Sequence, residues 1–160
     1  MSVETVKQYF KQFGIEDKVR ELKDSSATVE LAAQALGVQG ARIAKTLSFK
    51  VGGACVLIVA AGDAKIDNAR YKAYFGTKAK MLAAQEVQEL TGHPVGGVCP
   101  FAVGEEVRVY LDESLKRFDT VFPAYGSANS AIELTCDELK RYANAIEWID
   151  VCKNWQTEGE

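Results

Sequence analysis

The chain has 160 residues, with 19 Lys and Arg against 22 Asp and Glu, a single His and a formal net charge of −3. That length predicts one domain, able to bury roughly 68–70% of its unfolded surface. Its 48% hydrophobic and 26% charged residues exclude disorder and fibrous repeats, and the acidic balance excludes a protein that coats nucleic acid through overall charge.

One histidine removes most His-rich options, such as HExxH zinc enzymes and three-histidine metal sites. No cofactor is expected. Cys55, Cys99, Cys136 and Cys152 form no CxxC pair and no dense secreted framework, which predicts reduced thiols in a cytoplasmic protein. The opening MSVETVKQYF lacks the basic and apolar regions of a signal peptide, and no run has the length of a membrane span.

In chain order, Val3, Val6, Phe10 and Phe13 recur at helical spacing, with Ser2 placed to cap the start and Gly14 to end it. A short strand is expected over Lys18 to Leu22, then a helix Val29 to Leu36 capped by Thr28 and stopped at Gly37. Ile43 to Val51 and Ala54 to Ala61, joined by Gly52-Gly53, read as a hairpin whose second strand is buried on both faces. Asp67 caps a helix that ends near Phe75-Gly76. A short strand Ala79 to Leu82 and a helix Gln85 to Thr91 follow.

The stretch from His93 to Pro100 is a loop shaped by two prolines and two glycines. Val107 to Leu111 alternates as a strand, Asp112 caps a short helix through Phe118, and strands are expected at Thr120 to Ala124 and Ala131 to Leu134. A helix Asp137 to Tyr142 and a strand Ile146 to Val151 complete the pattern. The tail Gln156 to Glu160 is polar and expected to fray, leaving residues 1–155 as one domain. Helices and hairpin-like strands intermingle, which predicts an α+β class with one mixed, mainly antiparallel sheet.

A nucleophile system has little to build on. There is no GxSxG, and His93 lies between Gly92 and Pro94. Cys99 has no cation or base beside it in sequence, so an esterase built on Cys99 and His93 is the weakest reading. The run Gly37 to Thr46 has a Lys-Thr pair but lacks the glycine before it and the helix after it, so it is not a phosphate loop. Lys45 then stands among apolar strand residues, either reaching to an edge or held in a site for its charge.

Several blocks, taken together, resemble a family. Ser26 to Val38 followed by Arg42-Ile43-Ala44-Lys45-Thr46-Leu47 is similar to the opening of YbaK/EbsC proteins, the free-standing relatives of the editing domain inserted in bacterial prolyl-tRNA synthetases. The likeness continues in Gly96-Gly97-Val98-Cys99-Pro100-Phe101, which fits a G-x-x-x-P loop, then in Val109 to Asp112, Ala124 to Ser127, Ala131 to Leu134 and Asp137 to Leu139. The resemblance implies a compact α+β domain with a curved, barrel-like sheet and surrounding helices. It implies hydrolysis of a mischarged aminoacyl-tRNA, with no metal and no covalent enzyme intermediate.

By that resemblance Lys45, Gly96 and Pro100 are the catalytic candidates, and Gly97, Val98, Cys99, Gly126 and Ser127 the substrate-binding ones. An ammonium at Lys45 and loop N–H groups would stabilise charge developing on the ester. The loop Tyr125 to Ser130 departs from the basic, glycine-rich form of YbaK-type cysteinyl-tRNA deacylases, which points away from cysteine as the amino acid removed. For the acceptor end of tRNA, Lys65, Arg70, Lys72, Lys78 and Lys80 form a cationic segment interrupted only by Asp67. A synthetase is a further expected partner. A non-catalytic module that senses aminoacyl-tRNA or recruits a synthetase is the alternative function.

Overall fold

The computed structural model describes residues 2–22, 28–94, 98–127 and 129–155. It begins with helix α1 (Ser2–Lys11), a 3₁₀ turn (Glu16–Lys18), strand β1 (Arg20–Glu21) and helix α2 (Val29–Leu36). Strands β2 (Ile43–Val51), β3 (Ala54–Ala61) and β4 (Lys65–Ile66) follow, then helices α3 (Asn68–Phe75) and α4 (Ala84–Thr91) and strand β5 (Arg108–Asp112). After a 3₁₀ helix (Glu113–Arg117) come β6 (Thr120–Pro123), β7 (Ser130–Ala131), β8 (Leu134–Thr135), helix α5 (Cys136–Tyr142), β9 (Trp148–Ile149) and β10 (Cys152–Lys153).

The main sheet has the order β8-β6-β2-β3-β5-β9 and curls into a half-barrel. The fold is α+β, as the alternation of helices and strand signals implies. Its sheets are mixed: four of the seven strand pairings are antiparallel and three are parallel. The parallel pair of β5 with β3 forms only after α3 and α4, the crossover that such a pair requires.

The β2–β3 hairpin is the spine, paired without a slip from Ala44↔Ala61 to Val51↔Ala54. Every residue of β3 from Cys55 to Ala61 is buried, as its unbroken apolar run predicts. On α1, Val6 and Phe10 are fully buried, and Phe10 stacks on Tyr125 at a centroid distance of 5.4 Å. Thr28 caps α2 by accepting the Leu31 N–H, and Gly37 ends it in the left-handed conformation. Asp67 and Gly76 bound α3 in the same way.

Several expected elements take another form. Ala79–Leu82 is a single bridge, Met81 to Phe49, flanked by Lys50 N–H to Lys80 O (2.9 Å) and Leu82 N–H to Ser48 O (3.1 Å). The helix after Asp112 is 3₁₀, closing with Phe118 N–H to Leu115 O before the chain extends into β6. The strand expected at Ala131–Leu134 divides because β7 pairs with β1 while β8 pairs with β6. The last strand also divides. Its Val151 N–H turns to the buried carboxylate of Asp112 (3.0 Å), sending β9 to β5 and β10 to β4. Thr135 caps α5, in a reciprocal pair with Glu138.

Candidate active site

The site grows from an incomplete edge of β2. On the side away from β3, β6 pairs only with Ile43 and Ala44, and the Met81 bridge meets β2 at Phe49. Between them, residues 45–47 have no strand partner on that edge among the described residues. A cavity of about 310 Å³ opens there, lined by β2 from Ile43 to Ser48, by Val29, Ala32 and Leu36 of α2, and by Val98, Phe122 and Ser130. Apart from Lys45, its lining holds no charged side chain and no imidazole among the described residues.

Lys45 is half-buried in the cavity wall. Its Nζ donates to the carbonyl of Gly62 (3.4 Å) and to that of Ala64. An ammonium carries three N–H donors, so two are committed to the chain and one is left for the cavity. Burial pushes its pKa below the ordinary lysine value. Lys65 adds to that shift, while Cys152, Asp63 and Glu30 oppose it. Beside Lys45, Thr46 Oγ1 is buried with no hydrogen-bond partner among the described residues.

Of the expected loop residues, Gly96 and Gly97 lie outside the described residues, as do Ser26 and Ala27. Val98 lines the cavity, and Pro100 is buried. Cys99 does not line it. It is fully buried behind the wall, and burial pushes its thiol pKa up to about 12. The structure does bring Cys99 to His93, with Sγ 3.5 Å from Nε2. That same nitrogen lies 2.7 Å from the Phe101 carbonyl, which can only accept, so Nε2 carries the proton and cannot serve as a base for the thiol. Burial also lowers the His93 pKa. The pair is a core contact, which corrects the esterase reading.

Gly126 and Ser127 do not line the cavity either. Gly126 is buried with φ +95, a conformation suited to glycine, and Ser127 Oγ donates to Asn129 Oδ1 (2.9 Å) and lies 2.7 Å from Ser130 Oγ. Ser130, three residues on at the start of β7, reaches the cavity.

The cationic segment is dispersed by the fold. Lys65 lies within electrostatic reach of Lys45. Arg70 is committed to Asp150 (2.9 Å) and the Cys152 carbonyl (3.4 Å), and Lys72 is exposed on α3. Lys78 and Lys80 line an open groove with Lys50 and the Gly52-Gly53 turn. Five residues of strand separate Lys50 from Lys45, roughly 17 Å. Lys50 was not legible as a member of this group, because 28 to 30 residues of sequence separate it from Lys78 and Lys80.

Among the described residues, no cluster of three or more His, Cys, Asp or Glu could hold a metal ion. Among them, too, no helix is long and apolar enough to cross a membrane.

The fold and site define a small α+β half-barrel domain with one lysine in the wall of an apolar cavity. The chain belongs to the aminoacyl-tRNA editing domain family, whose sequence model matches residues 23–142, and is YbaK-like within it. It is 56% identical over 157 residues to the uncharacterized protein YwhH of Bacillus subtilis (strain 168), covering 98% of this chain and all of that protein. It is 32% identical over 145 residues to a proline–tRNA ligase of Thermosipho melanesiensis, where 89% of this chain matches 25% of the ligase. The crystal structure of a candidate trans-editing enzyme for prolyl tRNA synthetase superposes with a TM-score of 0.86 at 29% identity, covering 95% of this chain and 97% of that one.

Proposed function

We propose that the chain is a trans-acting deacylase that removes a wrong, small amino acid from tRNA, with tRNA-Pro as the leading substrate. The observation that carries this reading is the Lys45 ammonium, held by two carbonyls in the wall of an apolar cavity, in a chain of the aminoacyl-tRNA editing family. Likeness to proline–tRNA ligases supports tRNA-Pro, and charging of tRNA in the cytoplasm gives the place of action.

In this reading the aminoacyl side chain enters the apolar cavity, and the ester carbonyl lies toward Lys45. Water adds its hydroxyl to the carbonyl carbon, the bond to the ribose oxygen breaks, and that oxygen takes the remaining proton. Lys45 stabilises negative charge on the carbonyl oxygen, supported by N–H groups of the loop that ends at Pro100. With no carboxylate or imidazole on the described cavity lining, the ribose hydroxyl next to the ester orients the water. An ester is already activated, so this modest set suffices. One methylene distinguishes substrates by only about 1–3 kcal/mol, so the α2 and Phe122 walls set a size limit, not a strict identity.

The test is a panel of aminoacyl-tRNAs, several amino acids on several tRNAs, with wild type and Lys45→Ala. Release of one small amino acid by wild type, reduced on the order of 10²–10³-fold in the variant, is expected. Undiminished turnover in the variant overturns the assignment. Tight binding without turnover by wild type identifies the non-catalytic module instead.

A further inference from the structure

The carbonyl turn that holds Lys45 is itself held by the 3₁₀ helix Glu113–Arg117. Ser114 Oγ, fully buried, accepts the Ala61 N–H at 3.1 Å. Three residues on, Arg117 grips both carboxylate oxygens of Asp63, Nη1 to Oδ2 at 2.9 Å and Nη2 to Oδ1 at 2.5 Å. The guanidinium is fixed in turn, donating from Nε to Ser114 O (2.9 Å) and from Nη1 to Trp155 O (3.2 Å). It also lies over the Phe118 and Trp155 rings at 4.9 and 5.3 Å.

Asp63 sits between Gly62 and Ala64, the two residues whose carbonyls receive the ammonium. Its carboxylate is therefore a competing partner for Lys45, within electrostatic reach of it. The other titratable groups that act on Lys45 are Glu30 of α2, Lys65 of β4 and Cys152 of β10. A two-point guanidinium fork neutralises the carboxylate and fixes its direction, which a single ammonium cannot do.

We propose that Arg117 is a positioning residue for Lys45: by clamping Asp63 it fixes the carbonyl turn and withholds the carboxylate, so that the third N–H of Lys45 stays directed to the cavity. The kinetic consequence rests on the deacylase reading; the effect on Lys45 itself does not.

Lys45 is followed by NMR of ¹³C,¹⁵N-lysine-labelled full-length protein through an alkaline titration, and deacylation is measured in parallel. Arg117→Ala is expected to raise the pKa of Lys45, since the freed carboxylate favours the ammonium. The same variant is expected to lower kcat about 10²-fold, the scale of a small misplacement, with KM little changed. Adding Asp63→Asn removes the competing charge and is expected to return the pKa and most of kcat. An unmoved Lys45 titration in Arg117→Ala, or no return in the double variant, overturns the proposal, because a merely structural arginine would leave both variants equally impaired. If Arg117→Ala does not fold, Arg117→Lys carries the same comparison, with a smaller upward shift expected and an unmoved titration again decisive. A titration that moves and returns in a protein without deacylase activity would leave the clamp standing and remove the enzymatic reading.

Discussion

Gly62 packs so closely on Gly40 that a β-carbon at position 62 would lie 2.1 Å from the Gly40 carbonyl oxygen and 2.7 Å from a methyl of Val29. Backbone cannot yield there as a flexible side chain would. Gly62→Ala should therefore destabilise the fold by about 1–3 kcal/mol, the scale of an overpacked site, as measured by urea unfolding. Because the Gly62 carbonyl is one of the two acceptors of Lys45, the variant should also lose turnover at temperatures where it remains folded. Full stability in Gly62→Ala would contradict the close approach.

The lysine should also be visible in stability against pH. Burial lowers its folded-state pKa below the unfolded value of 10.5, so between the two the unfolded chain binds more protons. The cost of the buried ammonium is present below the folded pKa and is relieved as pH rises through that window. Relative to Lys45→Met, wild-type stability should rise with pH on the alkaline approach to 10.5, whereas a deacylation rate that needs the ammonium should fall there.

Cysteine reactivity should follow burial. Cys55, Cys99 and Cys152 are buried and Cys136 is half-buried. In native protein a disulfide reagent should label Cys136 first and reach Cys99, whose thiol is pushed up to about 12, only after unfolding. Cys99→Ala should retain deacylation at temperatures where it is folded. Loss of activity on alkylating Cys99 in the native state would revive a thiol mechanism.

If the chain acts on tRNA as proposed, acceptor-stem phosphates should meet the groove of Lys50, Lys78 and Lys80, where Lys78 and Lys80 make no ion pair among the described residues and Lys50 pairs with Glu86 at 3.7 Å. Lys78→Glu with Lys80→Glu should raise KM for tRNA, spare hydrolysis of a minimal aminoacyl ester, and reduce the salt slope of binding by about 1 per lysine. Arg70→Glu should instead act on stability, because it breaks the pairing with Asp150 and the Cys152 carbonyl. Equal effects of all three changes on tRNA KM would restore the continuous cationic segment.

Features governed by near neighbours were legible in the sequence. Thr28, Asp67, Gly37, Gly76 and Gly92 act as caps through bonds to residues two to four positions away, and Gly52-Gly53 turns the hairpin because both glycines take positive φ. Ala79–Leu82 alternates like a strand yet forms a single bridge, because only the far half of the β2 edge is open to it. Nothing local marks Val29, Ala32 and Leu36 of α2 as cavity wall.

The sequence by itself determined the helices, the hairpin, the family and the choice of Lys45 as the residue to weigh. Only the tertiary structure decided what Lys45 meets, because its acceptors lie 17 and 19 residues away and the Asp63–Arg117 fork joins positions 54 apart. The same holds for His93 and Cys99, six residues apart in a loop, whose meeting is an inert core contact because burial and the Phe101 carbonyl fix their protons. Local hydrogen bonds are written in neighbouring residues; the burial and long-range partners that tune a charge arise only when distant segments pack.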